Sequence, residues 1–457
     1  MSIERRSSVV TLALVASFMV FVDGTIVNLA LAQLASHLDA SRAELEWTVN
    51  AYTLTFAAVM LGAGAITDVL GARCTFITGL WVFIAASGGC ALAGSMPVLI
   101  AARLAHGVGA ALLLPSALVL ATATAADASA RHRLVGWWAA AGGAGMAAGP
   151  LLGGALVAVA NWRAVFAVNV VIGVPAVLWS LRSMPAVARR ERRLDLAGMT
   201  MATLLIGGAV FAFVEAPARG WTDPAVLAAG ALAGTGAVGF TLAERHAAAP
   251  VLPVTLYSHR GFVTTLAQGA LFNFTFYGLL FALGLLLQVG RGMSALTSGL
   301  LFLPLTGLIS VGSLCAAWLG RRLGRRVLLA LGQGVITLSL LAVAWAAGGA
   351  QLWPFALALA PAGLCAGILV PSMTAQALAG VDTALHGAAS AVFNTTRQLG
   401  GAVGVAVFGP LLGTAHALSH GFRVVVVVGA AATALTLGLN GRTPSRAQCC
   451  APSVHAA

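Results

Sequence analysis

The sequence predicts an all-α polytopic membrane protein, and three observations carry that prediction. Of 457 residues, 60% are hydrophobic and 8% charged, with a mean hydropathy of +0.95. A soluble domain carries about 25% charged residues. The apolar residues gather into about fourteen runs, each near or above the roughly 20 residues that a helix needs to cross a bilayer. All 25 basic residues are arginines, and most fall in alternate loops. Runs of this length are helical, because a barrel strand spans with only about ten residues.

The first run covers 9–34 and holds Asp23 near its middle. The second, 46–66, is followed by the turn Gly71-Ala72-Arg73, which leads into 74–94 and then 97–122. Arg131 and Arg133 precede the fifth, 134–158, and the sixth follows over 162–182. Arg189, Arg190, Arg192 and Arg193 precede 195–215; 223–242 ends before Arg245, and Arg260 leads into 261–287. Span 296–319 ends before Arg321, Arg322, Arg325 and Arg326, and 327–347 begins after them. The last three are 353–375, 387–413 and 419–440. With an internal N-terminus, these arginines fall inside, and the opposite loops hold only Arg42, Arg163, Arg219, Arg291 and Arg423. That bias predicts a multi-pass protein of the cytoplasmic membrane with both termini cytoplasmic.

The halves echo each other. Gly71 and Gly324, Pro115 and Pro371, and Gly149 and Gly409 head similar tri- to pentapeptides, at separations of 253, 256 and 260 residues. The near-constant offset predicts a parallel repeat of six helices plus six, with an insert between them. The expected division is 1–183 as an N-terminal six-helix bundle and 184–257 as a two-helix insert with cytoplasmic loops. A C-terminal six-helix bundle (258–440) and a cytoplasmic tail (441–457) follow.

The net charge of +12 does not indicate nucleic acid, since the arginines follow the topology. The six cysteines show no metal-ligand spacing, and no metal or cofactor is expected. His-Glu-x-x-His and Gly-x-Ser-x-Gly are absent, which argues against an enzyme. The first run is too long for a cleavable signal and carries Asp23.

A charged, unpaired carboxylate at mid-membrane costs about 2.5–3.5 kcal/mol on insertion scales. Asp23 is therefore either a structural carboxylate or a protonation site. Arg103, buried in the fourth span, needs an anion and has the length to reach it. His106, one turn on, is either a neutral hydrogen bonder or a titratable relay. Gly145, Gly149 and Gly153 recur every four residues and line one helix face where a partner comes close; Pro150 favours a kink.

Five stretches resemble the major facilitator superfamily, in its 14-helix drug/proton antiporter branch. Asp23-Gly24-Thr25-Ile26-Val27-Asn28 is similar to the first-helix signature, which implies a proton or substrate role for Asp23. Gly64 to Arg73 resembles the superfamily loop Gly-x-Leu-Ala-Asp-Arg-x-Gly-Arg-Arg, with Val69 and Ala72 in place of two cations. It implies a latch through Gly64, Asp68, Gly71 and Arg73. Arg103-Leu104-Ala105-His106-Gly107 is similar to Arg-x-x-Gln-Gly, with His106 for Gln. Gly145 to Gly154, with Gly149, Pro150, Gly153 and Gly154, resembles the antiporter motif of exporters. Phe393 to Gly401 and Leu271 to Tyr277 look like cavity-lining segments. The ninth and tenth spans are also similar to self-resistance pumps of the methylenomycin-resistance type.

The resemblance implies two six-helix bundles with two extra central helices, working as a monomeric, proton-driven exporter of lipophilic drugs or antibiotics. The alternative is a dedicated pump for one secreted metabolite. Asn28, Trp137, Asn273, Phe276, Tyr277, Asn394 and Arg397 are the expected substrate cavity. The expected partners are small lipophilic molecules, protons and membrane lipids. The lone membrane carboxylate points to neutral or monocationic cargo.

Overall fold

In the computed structural model, the described residues are 3–184, 195–246, 256, 260–347, 349, 353–379, 381, 385–413 and 418–440. The segment Arg189–Arg193 and the tail 441–457 lie outside them. Fifteen helices of seven residues or more, and no strand, occur among the described residues.

The first span breaks in two: α1 (Ile3–Ile26) passes through a 3₁₀ turn at Val27–Leu29 into α2 (Leu31–His37). The cause is local. Thr25 Oγ1 donates to the carbonyls of Val22 (3.2 Å) and of Met146 on a neighbouring helix (3.3 Å), which bends the last turn. The Asn28 amide then donates to Thr25 O at 3.1 Å.

α3 (Arg42–Leu70) begins with a capping box: Glu44 N donates to Ser41 Oγ, and Ser41 N donates to Glu44 Oε2. The helix therefore starts four residues before the sequence pattern placed it, and takes Glu46 inside. Gly71 (φ 86°) turns the chain into α4 (Ala72–Leu92). Then come α5 (Met96–Ala123), α6 (Ala128–Val159) and α7 (Ala164–Ser183). The insert supplies α8 (Leu196–Arg219) and α9 (Pro224–His246). The second half has α10 (Arg260–Leu285), α11 (Ala295–Leu323), α12 (Arg325–Ala346), α13 (Trp353–Ala377), α14 (His386–Leu411) and α15 (Leu418–Asn440). Gly324 (φ 76°) joins α11 to α12 as Gly71 joins α3 to α4.

Thirteen helices are long and apolar enough to cross a membrane, among the described residues. The fourteenth crossing of the sequence reading is α14, which has the length but carries Asn394, Thr395, Thr396, Arg397 and Gln398 at its centre. It is packed against α10, α3 and α8, so this polar run faces protein.

Helix pairing repeats between the halves. α1 packs on α6 as α10 packs on α14; α4 on α5 as α12 on α13; α3 on α5 as α11 on α13; α4 on α7 as α12 on α15. The bundles meet along two seams, α6 with α11 and α3 with α14. α8 lies over the α3/α14 seam. Its Val210 and Val214 pack with Ala402 and Ala406 of α14 and with Trp47 of α3, and the Trp47 indole donates to Glu215 Oε1 at 2.6 Å.

Candidate functional site: a buried ion pair beside an inter-bundle cavity

Asp23 and Arg103 are both 0% exposed, and Arg103 Nη1 donates to Asp23 Oδ2 at 2.6 Å. The other carboxylate oxygen accepts from Asn169 of α7 at 3.1 Å, and Asn169 is itself 3.2 Å from Ser87 Oγ of α4. Arg103 Nε donates to Thr48 O of α3 at 2.9 Å. The guanidinium lies under the Tyr52 ring at 4.4 Å, and Tyr52 OH donates to Val20 O of α1 at 3.1 Å. Five helices of one bundle thus converge on one carboxylate.

His106 Nδ1 is 3.2 Å from Arg103 Nη1 and 3.5 Å from Asp23 Oδ2. An arginine has no lone pair to offer, so Nδ1 accepts and the ring proton sits on Nε2. Nε2 is buried without a partner, and Phe83 packs on the ring at 4.1 Å between centroids. With Nδ1 accepting from Arg103 the ring is uncharged, whereas a proton on Nδ1 would face Asp23 Oδ2 at 3.5 Å.

The ion pair is replaceable from one side only. If Asp23 takes a proton, Arg103 keeps Thr48 O, His106 Nδ1 and the Tyr52 face. Those contacts are all neutral, so they hold the guanidinium in place but do not replace the charge of the carboxylate. That asymmetry matters because a buried ion left with no partner costs about 3–5 kcal/mol.

α6 holds α1 in register. A Cβ on Gly145, Gly149 or Gly153 would strike Phe18 O, Thr25 Oγ1 and Ile26 O respectively, so the glycine face lies directly on the α1 backbone around Asp23. The adjoining side of α6 meets the other bundle: a Cβ on Gly154 would lie 2.5 Å from Ala295 O, and one on Gly299 would lie 2.7 Å from Pro150 O. At the same end, which carries the turn at Asp39, Arg42 Nη1 donates to Gly409 O at 3.0 Å. The halves are closed there. Nearer the Gly71 end, a Cβ on Gly64 or on Gly136 would meet no atom within 4 Å.

A narrow cavity lies between the bundles, with about 10 Å³ of room for the centre of a water-sized sphere, about one water molecule. Gly24, Tyr52, Phe56, Tyr277 and Gln398 line it. Tyr52 thus separates the cavity from the ion pair. A second, apolar space, also small, lies inside the C-terminal bundle against Phe272, Phe276, Leu305 and Ile336.

The structure gathers some of the expected cavity residues and not others. Tyr277 faces the central cavity, and Phe276 the apolar one. Asn273 accepts from Arg397 Nε and Nη2, each at 3.3 Å. Asn28 instead lies in the closed seam, its carbonyl against Gly284 of α10. The Asn394 amide folds back onto Ser390 O at 3.0 Å. Trp137 is 56% exposed and lines neither cavity, because the free end of α6 carries it out of the packed region. Arg73 departs from the latch: its Nη2 donates to Leu181 O of α7 at 3.1 Å, inside its own bundle.

Sequence reasoning passed over Tyr52, Ser87 and Glu46. Glu46 is 2% exposed, beside Gly409 across the seam. Its signal was available: a capping box five residues earlier puts position 46 in the second turn of a spanning helix.

The Major Facilitator Superfamily pattern matches residues 13–405. The Methylenomycin A resistance protein of Bacillus subtilis (strain 168) is 35% identical over 395 residues, which is 86% of this chain and 85% of that protein. The cephamycin export protein CmcT of Amycolatopsis lactamdurans is 35% identical over 418 residues, 88% of this chain and 84% of that one. A crystal structure of a POT family transporter in complex with a thioalcohol-conjugated peptide superposes with a TM-score of 0.72 over 96% of both chains, at 13% identity. With matched pairing in two helix bundles and a family pattern spanning nearly the whole length, this chain belongs to the Major Facilitator Superfamily.

Proposed function

We propose that the protein is a proton-coupled antiporter of the cell membrane that exports lipophilic drugs or antibiotics from the cytoplasm, with no enzymatic activity of its own. The observation that carries this reading is the Asp23–Arg103 pair, fully buried yet separated from the inter-bundle cavity by one ring, Tyr52. The names of the relatives, one a resistance protein and one an export protein, support outward transport.

The arginine bias supports placing the Gly71 end in the cytoplasm and the Asp39 end outside. The described conformation is then closed to the outside. Protonation of Asp23 from outside weakens its hold on Arg103 and favours discharge. Loss of that proton inside restores the pair, and the halves rock about the cavity between the two states.

Each of the two relatives is named for one antibiotic, which favours the narrower alternative of a dedicated pump. A resistance panel in overexpressing cells, with accumulation of each compound measured, separates the readings: broad protection means multidrug export, and protection against one compound class means a dedicated pump. Everted vesicles report coupling as a partial collapse of the pH gradient on adding substrate. No protection and no substrate-dependent proton movement would sink both.

Orientation has an internal probe. Cys74 is exposed at the Gly71 end. A membrane-impermeant maleimide should leave wild type unlabelled in intact cells and label Asp39→Cys. Labelling of wild type from outside would reverse the topology.

A further inference from the structure

The acidic residues are distributed unevenly. Of 13, only Asp382 lies beyond Glu244, and it falls between α13 and α14. No helix of the C-terminal bundle, α10 to α15, contains a carboxylate. Yet that bundle holds Arg397 at the middle of α14, in the centre of a spanning helix.

The two mid-span arginines are therefore in opposite situations. Arg103 has Asp23 at 2.6 Å and Thr48 O at 2.9 Å. Arg397 offers Nε and Nη2 to a single neutral oxygen, Asn273 Oδ1, at 3.3 Å each. A guanidinium carries five N–H groups, so among the described residues most of its hydrogen-bonding capacity is unused and no carboxylate pairs with its charge. A cation at this depth is retained against its insertion cost when an anion meets it there. Arg397 is only partly buried; it lines neither cavity itself, but the next residue, Gln398, lines the central one.

The surroundings are amphiphilic. The Arg397 guanidinium lies 5.6 Å from the Phe393 ring, and its stem lies along Gly269, where a Cβ would come within 2.8 Å of Arg397 Cγ. Phe272 and Phe276 stack one turn apart on α10. Gln398, the next residue on α14, hydrogen-bonds Tyr277 at the central cavity. Asp23 offers no comparable site for a cation, since both of its oxygens are already engaged by Arg103 and Asn169.

We propose that Arg397 is the docking point for one negative charge on the exported compound, and that the preferred cargo is an amphiphilic carboxylate: a ring-bearing apolar body with a single anionic group. This rests on the export reading and gives it a substrate class. It replaces the expectation of neutral or monocationic cargo. One arginine matches one carboxylate, with a planar fork suited to its two oxygens. A phosphate dianion needs more cations than α10 and α14 provide at this point.

The test uses the full chain in phosphatidylcholine nanodiscs and three probes of one shape: 1-pyrenebutyrate, its uncharged methyl ester, and a pyrenebutyl ammonium. Energy transfer from the protein's tryptophans to pyrene reads binding. Wild type should bind the acid about ten-fold or more tightly than the ester, the increment of a charge-assisted contact. Arg397→Gln should remove that preference and leave ester affinity unchanged; Arg397→Lys should restore part of it. Equal binding of acid and ester by wild type, or preference for the ammonium, overturns the proposal without any substitution. So does an unaltered acid preference in folded Arg397→Gln. If phosphatidylglycerol in the disc abolishes the acid preference of wild type, a lipid phosphate occupies Arg397 and the cargo assignment fails. Vesicle transport keeps the two readings apart. A protein that pumps the ester or the ammonium but ignores the acid retains export and loses this inference. One that shows the Arg397-dependent preference but moves nothing loses export.

Discussion

Tyr52 covers Arg103: the ring centre stands 4.4 Å from the guanidinium carbon, and the phenol is tied to Val20 O on the helix that carries Asp23. One side chain thus seals the ion pair and links α3 to α1. Tyr52→Phe should cost about 1 kcal/mol of stability through the lost bond and leave coupling intact. Tyr52→Ala should open the pair to cavity water. Proteoliposomes should then show proton flux without substrate; tight liposomes would mean that Tyr52 is only packing.

Asp23→Asn removes the anion from Arg103. It should abolish proton-driven efflux and lower stability by about 3 kcal/mol, because a buried cation loses its partner. Asp23→Asn with Arg103→Gln should recover most of that stability and none of the transport. Asp23→Glu should retain part of the activity. Thermal melts and vesicle exchange measure the two effects separately. Wild-type proton exchange in folded Asp23→Asn would make the carboxylate structural.

The two faces of α6 predict different failures. Gly149→Leu should insert, lower the melting temperature and stop efflux, because it forces α6 off α1 within one bundle. Gly154→Leu should stop efflux with little loss of melting temperature, because it wedges the seam to α11 and opposes closure at the Asp39 end. Normal efflux in well-expressed Gly154→Leu would show that this seam does not close during the cycle.

His106→Gln should leave both efflux and its pH profile unchanged, since a neutral acceptor toward Arg103 is all the geometry requires. A change in the profile near pH 6.5 would instead make His106 a relay.

The spans, the repeat and the Asp23–Arg103 pairing were legible because each has a one-dimensional signal: apolar length, a fixed offset, and opposite charges at reachable depth. Gly145, Gly149 and Gly153 were legible as a face but not as a contact, since period alone does not name the partner helix. Tyr52 and Ser87 carried no signal, because a lone aromatic or hydroxyl in an apolar run looks like packing until the fold brings α3 and α4 to α1. Trp137 misled for the same reason: its helix was legible but not the direction of its side chain. Glu46 was missed through a helix start placed at 46 when the cap at Ser41 sets it at 42.

The position of α8 leaves the molecule with one shuttered flank and one bare flank. On the α3/α14 side, a hydrogen bond from Trp47 anchors α8 to the first half, while apolar contacts with Ala402 and Ala406 let it slide over the second. On the α6/α11 side, no helix among the described residues covers the joint. The α3/α14 joint is thus covered by a third helix, whereas the α6/α11 joint is held by its two helices alone, backbone against backbone at Gly154 and Gly299.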